Sequence, residues 1–343
     1  MQQHIQQYRL FLIITTILLI ITIIQHKMSK SPSSSSSSQK NHHFLKQRGK
    51  ILLLGDSITQ MSFSSTLSGW GSYVADHYQR RCDVYNRGMS GYNTDWFIRY
   101  LDTEEGYNDV FGMMMKDNEQ ESNVKLVTIF FGANDASSKD LNPRHHVPIL
   151  RFESNLKEIV KRCKKHFGPN VNIIFITPPP VCHKSRLEYQ IQRYKDKATG
   201  ELERTLSLSG EYADAVERVA KELKYPCLNI WKTMQEEGET IMMKKQRNNS
   251  PSNKEKESWS IFLSDGLHLS REGNLFVGKS LVKLIDDVYP GIAVTKCPFT
   301  DYTGNSASKG GIDLGSEGGI GPWHDKINHL DAGAAFFNSH EDF

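Results

Sequence analysis

The sequence predicts an α/β protein: a three-layer α/β/α sandwich around a five-stranded parallel sheet. Three observations carry this. From about residue 50 onward, short continuous apolar runs alternate with longer amphipathic stretches. The runs lack polar-apolar alternation, so they read as strands covered on both faces, as in parallel sheets. Successive runs are separated by enough chain for a helical crossover, the connection that parallel neighbours require.

The elements follow in order. The first strand is 51–54 (ILLL), ended by Gly55. A helix over 72–81 leads to a second strand at 82–85, and a helix over 93–101 follows. The third strand is 126–131 (LVTIFF), then a long helix at 149–167 and a fourth strand at 173–176 (IIFI). A helix over 211–223 precedes a fifth strand at 227–231. A last helix over 272–288 stops before Pro290, which cannot continue it.

Outside this body the composition changes. Residues 1–30 contain a 15-residue apolar run, 10–24 (LFLIITTILLIITII), which lies between the length of a signal-peptide core and that of a membrane span. No small-residue cleavage site follows it, so it reads as an uncleaved signal anchor, with a cleaved signal peptide and a secreted product as the alternative. Lys27 and Lys30 follow the run closely and only Arg9 precedes it, so the positive-inside bias puts the body on the cytosolic face. Residues 31–49 are a Ser-rich tether, 50–290 the domain, and 291–343 a Gly-rich tail. Within the domain, 236–258 is strongly charged and reads as an inserted surface loop.

Charge excludes one class of function. The whole chain has 42 Lys+Arg and 39 Asp+Glu, but residues 1–50 hold seven of the basic residues and no acidic one. The remainder is therefore slightly acidic, a poor match for nucleic acid. Hydrophobic residues at 38% and charged residues at 24% fit a globular chain and neither a disordered nor a polytopic membrane one. The five cysteines show no CxxC spacing. His42-His43 and His145-His146 have no further ligands at metal spacing, so neither a metal nor another cofactor is expected.

In a parallel sheet the chemistry sits at the carboxyl ends of the strands. Four short motifs lie there. Gly55-Asp56-Ser57-Ile58-Thr59-Gln60 places a hydroxyl in the turn after the first strand, where it suits a nucleophile; the bland reading is a serine N-cap. Asn86-Arg87-Gly88-Met89-Ser90-Gly91 follows the second strand and offers glycine N–H groups to a ligand, or merely turns. Gly132-Ala133-Asn134-Asp135 follows the third strand. Asn134 carries a neutral amide donor, whereas an ionised Asp135 can only accept. Ser264-Asp265-Gly266-Leu267-His268 precedes the last helix, and a carboxylate three residues before an imidazole can orient it.

Together the four segments resemble the signature blocks of the SGNH/GDSL hydrolase superfamily, a flavodoxin-like fold. The resemblance implies Ser57 as nucleophile, His268 as base with Asp265 as its partner, and an oxyanion hole from Ser57, Gly91 and Asn134, with Gly88 as the alternative to Gly91. Further segments are similar to the isoamyl acetate-hydrolysing esterase family: Gly69-Trp70-Gly71, Ser90-Gly91-Tyr92-Asn93-Thr94, His146-Val147-Pro148, Thr177-Pro178-Pro179-Pro180 and Leu263 to Ser270. The implied activity is metal-free hydrolysis of a small acetate-type ester through an acyl-enzyme. The same chemistry would serve a lysophospholipid, a thioester or an acetylated sugar. An inactive tethered binding module is the reading from another class.

Overall fold

The computed structural model describes residues 48–112, 123–247 and 257–293. The apolar run at 10–24, the Ser-rich tether up to residue 47 and the tail from 294 lie outside the described residues. Among the described residues no helix is long and apolar enough to cross a membrane.

The expected sheet is present. Strands β1 (Gly49–Gly55), β2 (Cys82–Gly88), β3 (Val124–Phe130), β4 (Asn172–Ile176) and β5 (Cys227–Leu228) pair in the order β2-β1-β3-β4-β5, all parallel. The helices are α1 (Ser57–Gln60), α2 (Trp70–His77), α3 (Thr94–Leu101), α4 (Glu104–Phe111), α5 (Ile149–Phe167), α6 (His183–Tyr194), α7 (Leu206–Leu223), α8 (Ile230–Arg247) and α9 (Arg271–Val288).

Alternate residues of each strand feed two separate cores, because successive strand side chains point to opposite faces. Leu52, Leu54, Val127, Ile129, Ile173 and Phe175 pack with apolar residues of α3, α4, α5 and α7. Ile51, Leu53, Leu126, Phe130, Ile174 and Ile176 pack with those of α2, α8 and α9. This is the three-layer arrangement. Truncating one of these fully buried leucines costs about 2–5 kcal/mol, since the cavity adds to the lost transfer energy.

Trp70 ties the site's two ends together. Its buried indole N–H donates to the Ile58 carbonyl at 3.2 Å, and its backbone N–H donates to Asn274 Oδ1 of α9 at 3.1 Å. The Asn274 amide in turn donates to the Ser270 carbonyl at 2.8 Å. The turn after β1 and the turn before α9 are thus held to one another through a single tryptophan.

Three expectations need correction. The charged segment 236–258 is not a loop over its first half, because α8 runs to Arg247. The polar composition belongs to the helix's outer face. Ile230 and Met234 are fully buried, and Ile241, seven residues on, packs against the same core. The fifth strand is only two residues long. Asn229 leaves it to cap α8, its side chain accepting from the Lys232 N–H at 2.9 Å, so 230–231 are helical. The domain also begins earlier than residue 50. Gly49 is already in β1, and Arg48 pairs with Asp83 at 3.3 Å.

Candidate active site

Ser57 opens α1, directly after the tight turn at Asp56 that ends β1. It is not the helix cap. That position belongs to Asp56, whose side chain accepts from the Ile58 N–H at 2.9 Å. Capping by the preceding residue makes Ser57 the first residue of the helix, where its backbone N–H has no helical acceptor and its hydroxyl is free to face the sheet edge. Ser57 Oγ lies 2.9 Å from His268 Nε2.

His268 comes from the turn before α9. Asp265 shapes that turn with its own side chain: Oδ1 accepts from the backbone N–H groups of Leu267 and His268 at 3.0 and 2.7 Å. Its other oxygen, Oδ2, lies 2.8 Å from His268 Nδ1. Burial pushes the Asp265 carboxyl up, but the hydrogen bonds and charge of His268, with the Arg186 guanidinium, outweigh it and hold the group well below the usual carboxylate range. Asp265 is therefore ionised, and an anion on Nδ1 leaves Nε2 as the basic nitrogen facing Ser57.

Asn134 reaches the same edge from the end of β3. Its Nδ2 donates to the Tyr92 carbonyl at 2.9 Å, and its Oδ1 accepts from Arg204 at 3.1 Å. One amide hydrogen remains available. The β2–α3 segment supplies the glycines, and the two differ. A Cβ at Gly88 would lie 2.0 Å from the Gln60 backbone nitrogen, and the Gly88 N–H is already spent on Asn86 Oδ1 at 2.9 Å. Gly91 has φ +79°, and a Cβ there would meet nothing within 4 Å. Gly88 thus serves close packing of β2 on α1, whereas Gly91 presents backbone to open space.

Two buried carboxyls flank these residues. Burial pushes Asp56 up to about 6, against the Ile58 hydrogen bond and the charge of His268. Burial pushes Asp135 up to about 7, although Oδ1 accepts from both the N–H and the hydroxyl of Thr94, at 2.9 and 2.5 Å. The paired histidines have structural partners: His145 Nδ1 lies 2.9 Å from Asn142 Oδ1, and His146 Nδ1 lies 2.9 Å from the Ser137 carbonyl.

All five residues expected from the sequence lie on the edge formed by the carboxyl ends of β1, β2 and β3 and the turn before α9. Sequence reasoning missed what stands behind them: the buried Arg186 and Arg204, with the half-buried Glu203 between them, linking Asp265 to Asn134.

The chain matches the GDSL-like Lipase/Acylhydrolase family over residues 51–281. It is 38% identical over 238 residues to the isoamyl acetate-hydrolyzing esterase 1 homolog of Mus musculus, covering 69% of this chain and 81% of that one. It is 40% identical over 228 residues to a GDSL esterase/lipase of Arabidopsis thaliana, covering 66% and 81%. The crystal structure of a lipase/acylhydrolase from Enterococcus faecalis aligns with a TM-score of 0.45 at 24% identity, over 70% of this chain and 96% of that one. With the family matched across β1 to α9 and esterases among relatives near 40% identity, the chain belongs to the GDSL/SGNH hydrolase family and is a carboxylic ester hydrolase.

Proposed function

We propose that this hydrolase is a serine esterase for short-chain, acetate-type esters, working through an acyl-enzyme on Ser57. The observation that carries the reading is the unbroken line of contacts from Ser57 Oγ to His268 at 2.9 Å and from His268 to Asp265 at 2.8 Å. His268 Nε2 takes the Ser57 proton as the hydroxyl attacks the ester carbonyl. The resulting oxyanion receives the N–H groups of Ser57 and Gly91 and the remaining amide hydrogen of Asn134. His268 then passes its proton to the leaving alcohol, and a water molecule repeats the sequence on the acyl-enzyme. Asp265 stays ionised throughout and stabilises the imidazolium.

The acetate preference draws support from the relatives named for isoamyl acetate hydrolysis. A panel of p-nitrophenyl esters from acetate to decanoate, with a lysophospholipid, an acyl thioester and an acetylated xylose alongside, tests it. The expected order has kcat/KM highest for acetate and butyrate. A maximum at long chains or on the lysophospholipid would move the substrate class, and no turnover of any ester would favour the inactive binding module.

The apolar run at 10–24 completes the proposal as an N-terminal membrane tether. Retention of the full-length chain in carbonate-washed membranes is the expected result, and its release into the wash would remove the tether.

A further inference from the structure

We propose that Arg186, Glu203 and Arg204 form a positioning frame that joins the two arms of the site, and that Arg204 sets which end of the Asn134 amide faces the reacting carbonyl. The inference rests on the preceding reading, in which Asn134 donates to the oxyanion.

A carboxamide has a donor end and an acceptor end of nearly the same shape, so packing alone does not choose between its two orientations. Turned the wrong way, Asn134 would present lone pairs to a developing negative charge. Two contacts of opposite polarity decide the matter. The Tyr92 carbonyl can only accept, and it takes Nδ2 at 2.9 Å. The Arg204 guanidinium can only donate, and its Nη2 takes Oδ1 at 3.1 Å. The same guanidinium holds the adjoining peptide, with Nε donating to the Ala133 carbonyl at 2.9 Å. Its third nitrogen, Nη1, pairs with Glu203 Oε1. Every nitrogen of the planar fork is thus committed, and Arg204 is 5% exposed.

Glu203 continues the frame. Oε1 also accepts from Arg186 Nη2 at 3.3 Å, and Oε2 accepts from the Asn142 amide at 2.8 Å. Arg186, also 5% exposed, donates from Nη1 to Asp265 Oδ2 at 3.1 Å. That oxygen is the one facing His268 Nδ1. The path therefore runs from Asn134 through Arg204, Glu203 and Arg186 to Asp265. Two guanidiniums face two carboxylates, so the charges of the frame balance.

Stability is a weak reason for such a network, because desolvation of buried ions offsets most of their attraction. Orientation is a stronger one. Lysine at position 204 would retain a charge for Glu203 but could not reach Ala133 and Asn134 with a rigid fork.

The test is a double-mutant cycle on the full-length chain, with kcat and KM for p-nitrophenyl acetate and active sites counted by titration. R204K should lower kcat about 10-fold and leave KM within about twofold, as expected when a donor is misaligned and not removed. In an N134A background, R204K should change kcat less than about twofold, because its effect passes through the missing amide. Should R204K fail to fold, E203Q leaves both guanidiniums in place, and its kcat loss should be smaller in N134A than in the wild type, the remainder passing through Arg186 to Asp265; an equal loss in both backgrounds would overturn the inference. Equal fold-losses in both backgrounds, or unchanged kcat per active site in R204K, would overturn the inference alone. An N134A variant with wild-type kcat would overturn the oxyanion reading of Asn134 and this inference with it.

Discussion

Ser57 Oγ and His268 Nε2 lie 2.9 Å apart although 211 residues separate them in the chain. The first residue is fixed by the turn that ends β1, the second by the Asp265 side chain that builds the turn before α9. Trp70 holds the two turns in register by donating to Ile58 on one side and to Asn274 on the other. The contact is thus a product of the fold's long-range packing and not of any local sequence.

That arrangement makes His268 matter more than Asp265. By analogy with serine hydrolases in which each was removed, H268A should lose about 10⁶-fold in kcat and D265A about 10⁴-fold. The histidine moves the proton in both half-reactions, while the carboxylate only orients and stabilises it. In D265A the acidic limb of the kcat/KM profile should persist, because it reflects the need for neutral imidazole; the Asp265 carboxyl is held well below the range where that limb lies. Equal, modest losses in both variants would show that neither residue belongs to the proton path.

The two glycines after β2 should respond differently. G88A forces a methyl group onto the Gln60 backbone at 2.0 Å, so it should fold poorly or not at all. G91A has open space around its new methyl and bears only the left-handed strain of about 1–2 kcal/mol. It should fold and retain measurable activity, since the N–H remains. Thermal melts of both variants check this; a stable G88A with wild-type kcat would contradict the packing described.

Asp135 carries a pH signature. Its pKa is raised on folding, so its contribution to stability is fully present below the ordinary value of 3.8 and is lost as pH rises through about 7. D135N mimics the neutral acid and can still accept from Thr94. The stability of D135N relative to wild type should therefore grow between pH 4 and 7, by about 1.4 kcal/mol per pH unit where only the folded state holds the proton. Urea unfolding at several pH values measures the difference. A difference independent of pH would mean that Asp135 is ionised in the folded protein across the window.

Most of the sheet was legible because β1, β3 and β4 carry short apolar runs ended by distinctive turns. Ser57, Gly91 and Asn134 follow strand ends and Asp265 and His268 lie in the turn before α9, so the motifs put them at one edge, and the family resemblance assigned their roles. Arg186, Glu203 and Arg204 were not legible. Isolated arginines are mostly solvent-exposed, and nothing local distinguishes a buried one. Their partners are distant: Arg204 meets Asn134 across 70 residues, and Arg186 meets Asp265 across 79. Helix α8 was misread for a related reason. Its Lys and Glu residues suggest a solvated loop, while the buried face beyond Met234 carries Gly238 before Ile241 and so shows little apolar signal within the segment.

Removing residues 1–47 should leave a soluble esterase with kcat within about twofold of the full chain. All the residues of the proposed site follow β1, which starts at Gly49, and low-complexity tethers tolerate cutting. Expression of the shortened chain and its p-nitrophenyl acetate kinetics decide the point. Loss of activity with the domain still folded would show that the N-terminal region contributes to the site.

The most direct test of the account is covalent labelling. A fluorophosphonate reacts with a serine only when a neighbouring base has activated it. Treated with such a probe and digested, the wild-type chain should carry one adduct, on the peptide containing Ser57, with hydrolysis lost in proportion to labelling. S57A should melt near the wild-type temperature, hydrolyse no ester above background and take no label. An adduct on another serine, or an S57A variant that still turns over p-nitrophenyl acetate, would contradict the assignment of Ser57 as the nucleophile.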